Sequence, residues 1–390
     1  MLVDLARRGL SHPQTTAFVK RAVSIKAEGH EEVEIPTWGI VLLYVSFMVA
    51  AVGISMISYM LNEVVTTLCM VESPVAAITV SPTTYEPADK EEKEGLLETG
   101  PTITLVNQKP ITSSIRATLK HLVATGGRFA RFRGYRIHVL NSILFALVSS
   151  FLSGALPRVP GQTVLVAALS GMAVAPVHAA WTHKVVSMPS TKSFWRERLP
   201  SKASWKTLAL PAAINAAMPY ISMYLICGVG MLLGLHNLDA NKAREYNGTQ
   251  AACLIIRGIV LFVFAITCTL FLCLPAIVTL VRIEASILPE DEDTIVPFDR
   301  TFGGKVVSKM TGGTGTIGFL DAWRSFTWEA RRRLIKLFFK VFFIITGLLF
   351  ILMHVLIAEL FVVFGPALGS FLAAVQNGAG PEDFLRDGGN

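Results

Sequence analysis

Charged side chains are scarce in this 390-residue chain. Asp, Glu, Lys and Arg supply 16% of it, against about 25% in an ordinary water-soluble domain. Apolar residues supply 52%, and the mean hydropathy is +0.53. Those figures exclude two or three soluble domains and leave one multi-pass membrane bundle with connecting loops. Cysteine is also sparse. Cys69, Cys227, Cys253, Cys268 and Cys273 all fall in or near apolar spans, with no CxxC pair and no Cys/His cluster. Zinc and a disulfide framework are therefore not expected, and the thiols read as small packing groups. HExxH, GxxxxGK[ST], a Ser/His/Asp set and paired catalytic carboxylates are missing, so the chain reads as neither an enzyme nor a cofactor protein. No secretory signal is expected at the start, because no short apolar region follows the basic residues near Met1.

What is present is a series of long apolar runs. The first opens at Pro36 and Trp38 and runs to about Leu61, continuing less purely toward Pro74. The others cover 137–156, 163–186, 208–235, 253–286 and 334–364. Each is long enough to cross a bilayer as a helix. Long charged loops follow the first, third and fifth spans, and short links follow the second and fourth. Six spans put both termini and all three long loops on one side. Most Lys and Arg lie there too, which the positive-inside bias assigns to the cytoplasm or a mitochondrial matrix. The net charge of +7 is then a bias toward anionic lipid, not nucleic acid.

The long loops differ in character. Residues 81–110 are rich in Pro, Glu and Lys and read as a disordered loop. Thr112–Ala124 has apolar Ile115, Leu119 and Leu122 on one face and reads as a surface helix. Residues 287–333 read as polar, with an acidic run, a Gly-rich piece and an amphipathic segment over Phe319–Arg333. Gly313, Gly315 and Gly318 satisfy GxGxxG but follow no strand, so they read as a loop and not a dinucleotide site. Asn247-Gly-Thr249 is a glycosylation sequon that matters only in a secretory lumen. The basic leader, with Arg7, Arg8, Lys20, Arg21 and Lys26, is similar to an organelle-targeting segment, although Asp4, Glu31, Glu32 and Glu34 depart from one.

Pro74, Pro176 and Pro275 end the first, third and fifth spans and fall 102 and 99 residues apart. Each is expected to kink its helix. The chain thus divides into a leader (1–35), three two-helix repeats (36–156, 157–250, 251–365) and a polar tail (366–390). Arg282 and Glu284 stand seven and nine residues past Pro275. His178, Trp181 and His183 stand two, five and seven past Pro176. GGRFARFRG at 126–134 opens the second span, and Gly318 with Asp321 precedes the sixth.

These residues resemble the mitochondrial carrier family over about residues 38–365. That family has three repeats with Pro-x-Asp/Glu-x-x-Lys/Arg-x-Arg-x-Gln at the end of each odd span. A surface helix and Gly-x-x-x-x-aromatic-Arg-Gly lead into each even one. The chain is also similar to fungal multi-pass membrane proteins called ubiquitin carriers by automatic naming, yet no reactive cysteine on a soluble domain supports ubiquitin chemistry. The resemblance implies an all-α membrane fold of six helices with pseudo-threefold symmetry, surface helices in the long loops, and transport across a mitochondrial membrane. It implies a lipid phosphate, that of cardiolipin, at Phe132-Arg133-Gly134, where a helix start favours an anion; interfacial anchoring is the plainer role. It places solute contacts at Asn141, Ile214, Asn215 and Ile344, two asparagines and an apolar wall. The two asparagines either hold solute or bond neighbouring helices. Glu63, Arg257, His354 and Glu359 lie in or at the ends of spans, where a charge lines a cavity or snorkels to the interface.

One departure bears on function. The acidic places hold Ala76, His178 and Ile277, and their basic partners hold Thr79, Trp181 and Leu280. The salt-bridge ring that closes a carrier's cavity is therefore missing. A transporter of a small, weakly charged solute and a non-transporting scaffold, insertase or membrane-shaping factor on a decayed carrier are both consistent with that loss.

Overall fold

A computed structural model describes residues 37–73, 76–80, 103–107, 109–190, 202–238, 246–307, 312–313 and 315–364. Six helices are long and apolar enough to cross a membrane, at Trp38–Val71, Arg128–Ala155, Gln162–Val186, Ser204–Leu232, Gly248–Ser286 and Trp328–Val363. The chain is an integral, multi-pass membrane protein of helical build.

In chain order the described elements are α1 (Thr37–Ser58), a π turn (Tyr59–Val65), α2 (Thr66–Val71), β1 (Ala76–Val80), β2 (Ile103–Asn107), α3 (Ile115–Gly126), α4 (Tyr135–Ala155), α5 (Gln162–Val186), α6 (Lys202–Leu232), α7 (Gly248–Cys268), a second π turn (Thr269–Cys273), α8 (Leu274–Ser286), α9 (Phe319–Arg324) and α10 (Trp328–Phe364). The strands β1 and β2 form an antiparallel ribbon pairing Ala76 with Asn107 and Val80 with Ile103. The expected disorder over 81–110 is corrected at its far end, because 103–107 is strand; residues 81–102 lie outside the described residues. The amphipathic segment Phe319–Arg333 is corrected too. It breaks after Arg324, and Trp328–Arg333 are the first turns of α10.

The three prolines are not equivalent. Pro176 sits inside an unbroken α5. Pro275 has no N–H, and the chain absorbs the loss by widening the preceding turn, so that the Leu274 N–H reaches back to the Thr269 carbonyl. Pro74 lies outside the described residues, and the helix before it ends at Val71. The first span has its π turn earlier, where the Thr66 hydroxyl donates to the Leu61 carbonyl at 3.0 Å.

The chain forms two units. One comprises residues up to Ser58 and from Phe342. In it, the Ser46 hydroxyl donates to Glu359 at 2.6 Å, so this intramembrane carboxylate is paired. Its other surfaces are largely apolar and exposed, as lipid-facing helices require.

The second unit, Tyr59–Val341, holds most of the buried core. There α5 packs along α6 through small residues, since lipid gives no hydrophobic drive and close backbone approach must supply the contact. A Cβ on Gly171 would stand 2.5 Å from the Ala216 Cβ and 2.7 Å from the Ala212 carbonyl oxygen. Gly171→Leu is therefore expected to push the helices apart at a cost of at least about 1–3 kcal/mol. Thermal unfolding in detergent checks it. An unchanged midpoint would refute the close contact.

The inner ends of the odd-numbered spans meet in this unit. The last long loop, read as polar, folds back over them. Ile287, Phe302, Val306, Ile317 and Ala322 bury against Ala175, Ala179, Leu208, Ala212, Leu280 and Ile283. Asp299 turns this loop by accepting from Thr301 N, Thr301 Oγ1 and Gly303 N. Partial burial pushes its carboxyl upward, but these bonds and the Arg282 charge outweigh that and hold it below the usual carboxylate range. The surface helix α3 buries Thr118 and Leu122 against protein, and His121 Nε2 donates to the Ile295 carbonyl at 2.9 Å.

Candidate functional site

Past the prolines, the odd spans carry polar side chains into a region that is almost fully buried. Helix α8 places Arg282 and Glu284 there, 4% and 0% exposed. Glu284 Oε1 lies 2.7 Å from His178 Nδ1, and Oε2 accepts from the Thr182 hydroxyl at 2.5 Å. The backbone carbonyl of Glu284 accepts from His183 Nε2 at 2.8 Å. All three partners lie on one stretch of α5, at offsets of two, six and seven from Pro176. Helical spacing brings them to neighbouring faces of α8.

The guanidinium of Arg282 donates to the carbonyls of Ala322 (3.0 Å) and Met70 (3.1 Å) and to the Ser325 hydroxyl (3.0 Å). It also lies over the rings of Phe302 and Phe326, 4.9 and 5.5 Å from their centroids. This is a buried cation satisfied by oxygen dipoles and aromatic faces.

A third link joins the first and third spans. Trp181 Nε1 donates to the Tyr59 hydroxyl at 3.0 Å, and that hydroxyl donates to the Arg133 carbonyl at 2.6 Å. First to third, third to fifth and fifth to first, the odd-numbered spans are laced pairwise by hydrogen bonds.

Gly134 shows why the second span begins where it does. It has φ of +77°, and a Cβ there would stand 3.0 Å from Trp181 Cδ1 and 3.3 Å from the Tyr59 hydroxyl. Only glycine fits both demands. Arg133 beside it is 9% exposed and turned inward, donating to the carbonyls of Lys184 and Ser187. Those carbonyls are orphans of the α5 terminus, so Arg133 ends one helix while Gly134 starts another. Phe132, at the end of a short 3₁₀ turn, is partly exposed. The guanidinium expected to hold a lipid phosphate is thus already engaged with protein carbonyls.

The expected solute contacts are less gathered. Asn141 lies on α4, and its Oδ1 is buried without a hydrogen-bond partner among the described residues. It makes no interhelical bond through that atom. Ile214 and Asn215 lie half-buried on α6. Ile344 belongs to the first unit and is 40% exposed. Glu63 and His138 are half-buried between spans, whereas Arg257 is exposed, and His354 Nδ1 lies 2.8 Å from the Phe350 carbonyl oxygen. Asn247 caps α7 in a capping box with Gln250. Gly313, Gly315 and Gly318 are non-helical, and the described element that precedes them in the chain is the helix α8, not a strand.

Two features were not read from the sequence. Glu72, 2% exposed, accepts from the N–H groups of Ile111 (2.6 Å) and Thr112 (3.0 Å), and Arg333 Nη1 lies 3.6 Å away. Beside it is a cleft of about 550 Å³ that carries Lys109, Arg332, Arg333, Lys336 and Lys340 against Glu329 alone. Clustering of Lys and Arg ahead of the sixth span was the available hint, but the cleft needs the turn before α3 as its other wall. No family model, curated protein or solved structure matches this chain.

Proposed function

We propose that this protein is a divergent carrier-type transporter of a small solute, built from three two-helix repeats about a pseudo-threefold axis in a mitochondrial membrane. The observation that carries the reading is the pairwise lacing of the three odd-numbered spans by Tyr59–Trp181, His178/Thr182–Glu284 and Arg282–Met70. A closure made of hydrogen bonds between helix ends is one that alternating access can open and remake at modest cost. Asn141 Oδ1, buried and unpartnered, fits a solute that brings a donor.

The test is uptake by proteoliposomes holding the purified chain, with a panel of metabolites. Saturable exchange, strongly reduced by Asn141→Ala with Asn215→Ala, is expected. Folded protein that moves no solute in the panel would overturn the reading. It would favour the alternative, a non-transporting scaffold, insertase or membrane-shaping factor, which the lost acid–base ring at Ala76, Thr79, Ile277 and Leu280 supports. Fractionation of a tagged chain tests the mitochondrial assignment.

The lipid partner belongs in the basic cleft, not on Arg133. Exposed Lys336 and Lys340 stand early in α10, where a headgroup phosphate of a lipid such as cardiolipin would lie. Lys336→Ala with Lys340→Ala is expected to weaken binding of cardiolipin vesicles about 30-fold, at roughly 1 kcal/mol per lysine. Unchanged binding would move the lipid elsewhere.

A further inference from the structure

Two imidazoles from two spans lie against Trp181, and one of them holds a fully buried carboxylate from a third. His178 and His138 both lie against the indole, with ring centroids 5.2 and 5.9 Å away. His138 also packs on Tyr59 at 4.9 Å. Glu284 is fully enclosed beneath His178, whose side chain keeps 22% exposure. Glu63 is half-buried on the first span and makes no side-chain hydrogen bond to a described residue.

Ionisable groups within a membrane span are expensive and are kept where they do work on ions or protons. No three His, Cys, Asp or Glu side chains among the described residues converge closely enough to share a metal. Two imidazoles and a buried carboxylate suit a smaller cation. We propose that His138, His178 and Glu284 form a proton-binding site, loaded through the partly exposed edges of the two imidazoles, and that its occupancy sets how firmly the third and fifth spans are joined.

The physical reason is the character of the His178–Glu284 bond. With a neutral imidazole only the acceptor carries charge; with an imidazolium both partners do, and the attraction of opposite charges adds to the hydrogen bond. Proton loading therefore tightens the join between the third and fifth spans, and unloading loosens it. The other charged or titratable groups around the site are Tyr59 and Glu63 on the first span, Arg133 and Tyr135 at the start of the second, His183 on the third and Arg282 on the fifth. Arg133 and Arg282 are turned to backbone carbonyls, and His183 to the Glu284 carbonyl, leaving the three named groups to take the proton. As a coupling ion the proton rests on the transport reading above; as a bound ligand it does not.

Trp181 is the reporter, because an imidazolium against an indole quenches its fluorescence. The full chain in liposomes is titrated with acid, and the emission of Trp181→Phe is subtracted to isolate Trp181. That component is expected to roughly halve between about pH 8 and pH 5, the range in which an imidazole changes charge. His138→Gln and His178→Gln should each remove part of the response, and the double variant all of it. Circular dichroism and gel filtration confirm that the variants fold. Should a variant not fold, Glu284→Gln, which keeps the shape and removes the charge beside His178, must shift the wild-type midpoint instead. A flat wild-type trace, or a response that survives in the folded double variant, overturns the proposal. Quenching without flux for any solute leaves the proton site standing and removes the transport reading; flux with a flat titration does the reverse.

Discussion

Arg282→Met is expected to destabilise the second unit by about 3–5 kcal/mol, the range for stripping a partner from a buried charged network. The guanidinium ties the end of the first span, the short α9 and the fifth span to one point, through the Met70 and Ala322 carbonyls and the Ser325 hydroxyl. Loss does not fall equally on the three. Ser325 Oγ also donates to the Ala322 carbonyl at 3.2 Å, so that oxygen stays satisfied. The Met70 carbonyl, at a helix end, loses the donor it takes from Arg282. Methionine keeps much of the contact with Phe302 and Phe326, so the deficit is chiefly polar. Arg282→Lys should recover little, because a single ammonium cannot span three acceptors in one plane. Thermal unfolding in detergent should show the midpoint falling by roughly 5–10 °C, taking about 2 °C per kcal/mol for a chain of this size. A methionine variant within a degree of wild type would show that the guanidinium is not a structural hub.

Glu284 gives the second large effect, and here the choice of replacement matters. Leucine leaves the His178 ring N–H and the Thr182 hydroxyl without their buried acceptor, for an expected loss of about 3–5 kcal/mol. Glutamine keeps the shape and one acceptor oxygen, and its amide can donate to the other tautomer of His178, so about 1 kcal/mol is expected. Pairing Glu284→Leu with His178→Leu should recover part of the loss, since two absent polar groups are tolerated better than one orphan. A double-mutant cycle measures this directly. Strict additivity of the two substitutions would mean that the His178–Glu284 bond contributes nothing beyond each residue alone.

The number and rough limits of the spans were legible because apolar runs of this length have few other uses. Offsets from Pro176 and Pro275 picked out His178, Trp181, His183, Arg282 and Glu284, but not their partners. Which carboxylate meets which imidazole depends on helix rotation, and composition says nothing about rotation. Arg133 illustrates the same limit. Its place before Gly134 marked a helix start, yet only the fold shows the guanidinium turned to the carbonyls of Lys184 and Ser187. The loop after the fifth span misled in another way. Its acidic run and glycines hid Phe302, Val306 and Ile317, isolated apolar residues that bury because the span ends beneath them are themselves apolar. Glu72 gave no signal, because an acidic residue just past a span ordinarily faces water.

The two π turns have a mechanical consequence. Each lies in an odd-numbered span, ahead of buried polar contacts: Tyr59–Val65 before Met70, and Thr269–Cys273 before Arg282 and Glu284. A wide turn stores a surplus residue, so everything beyond it is phased one position out of step with the helix before. Drawing that residue back into ordinary winding would swivel the far segment by roughly 100°, one residue's share of a 3.6-residue turn. The fifth span, which lies within one unit, therefore carries a swivel through which Arg282 and Glu284 could turn together relative to the helix before them.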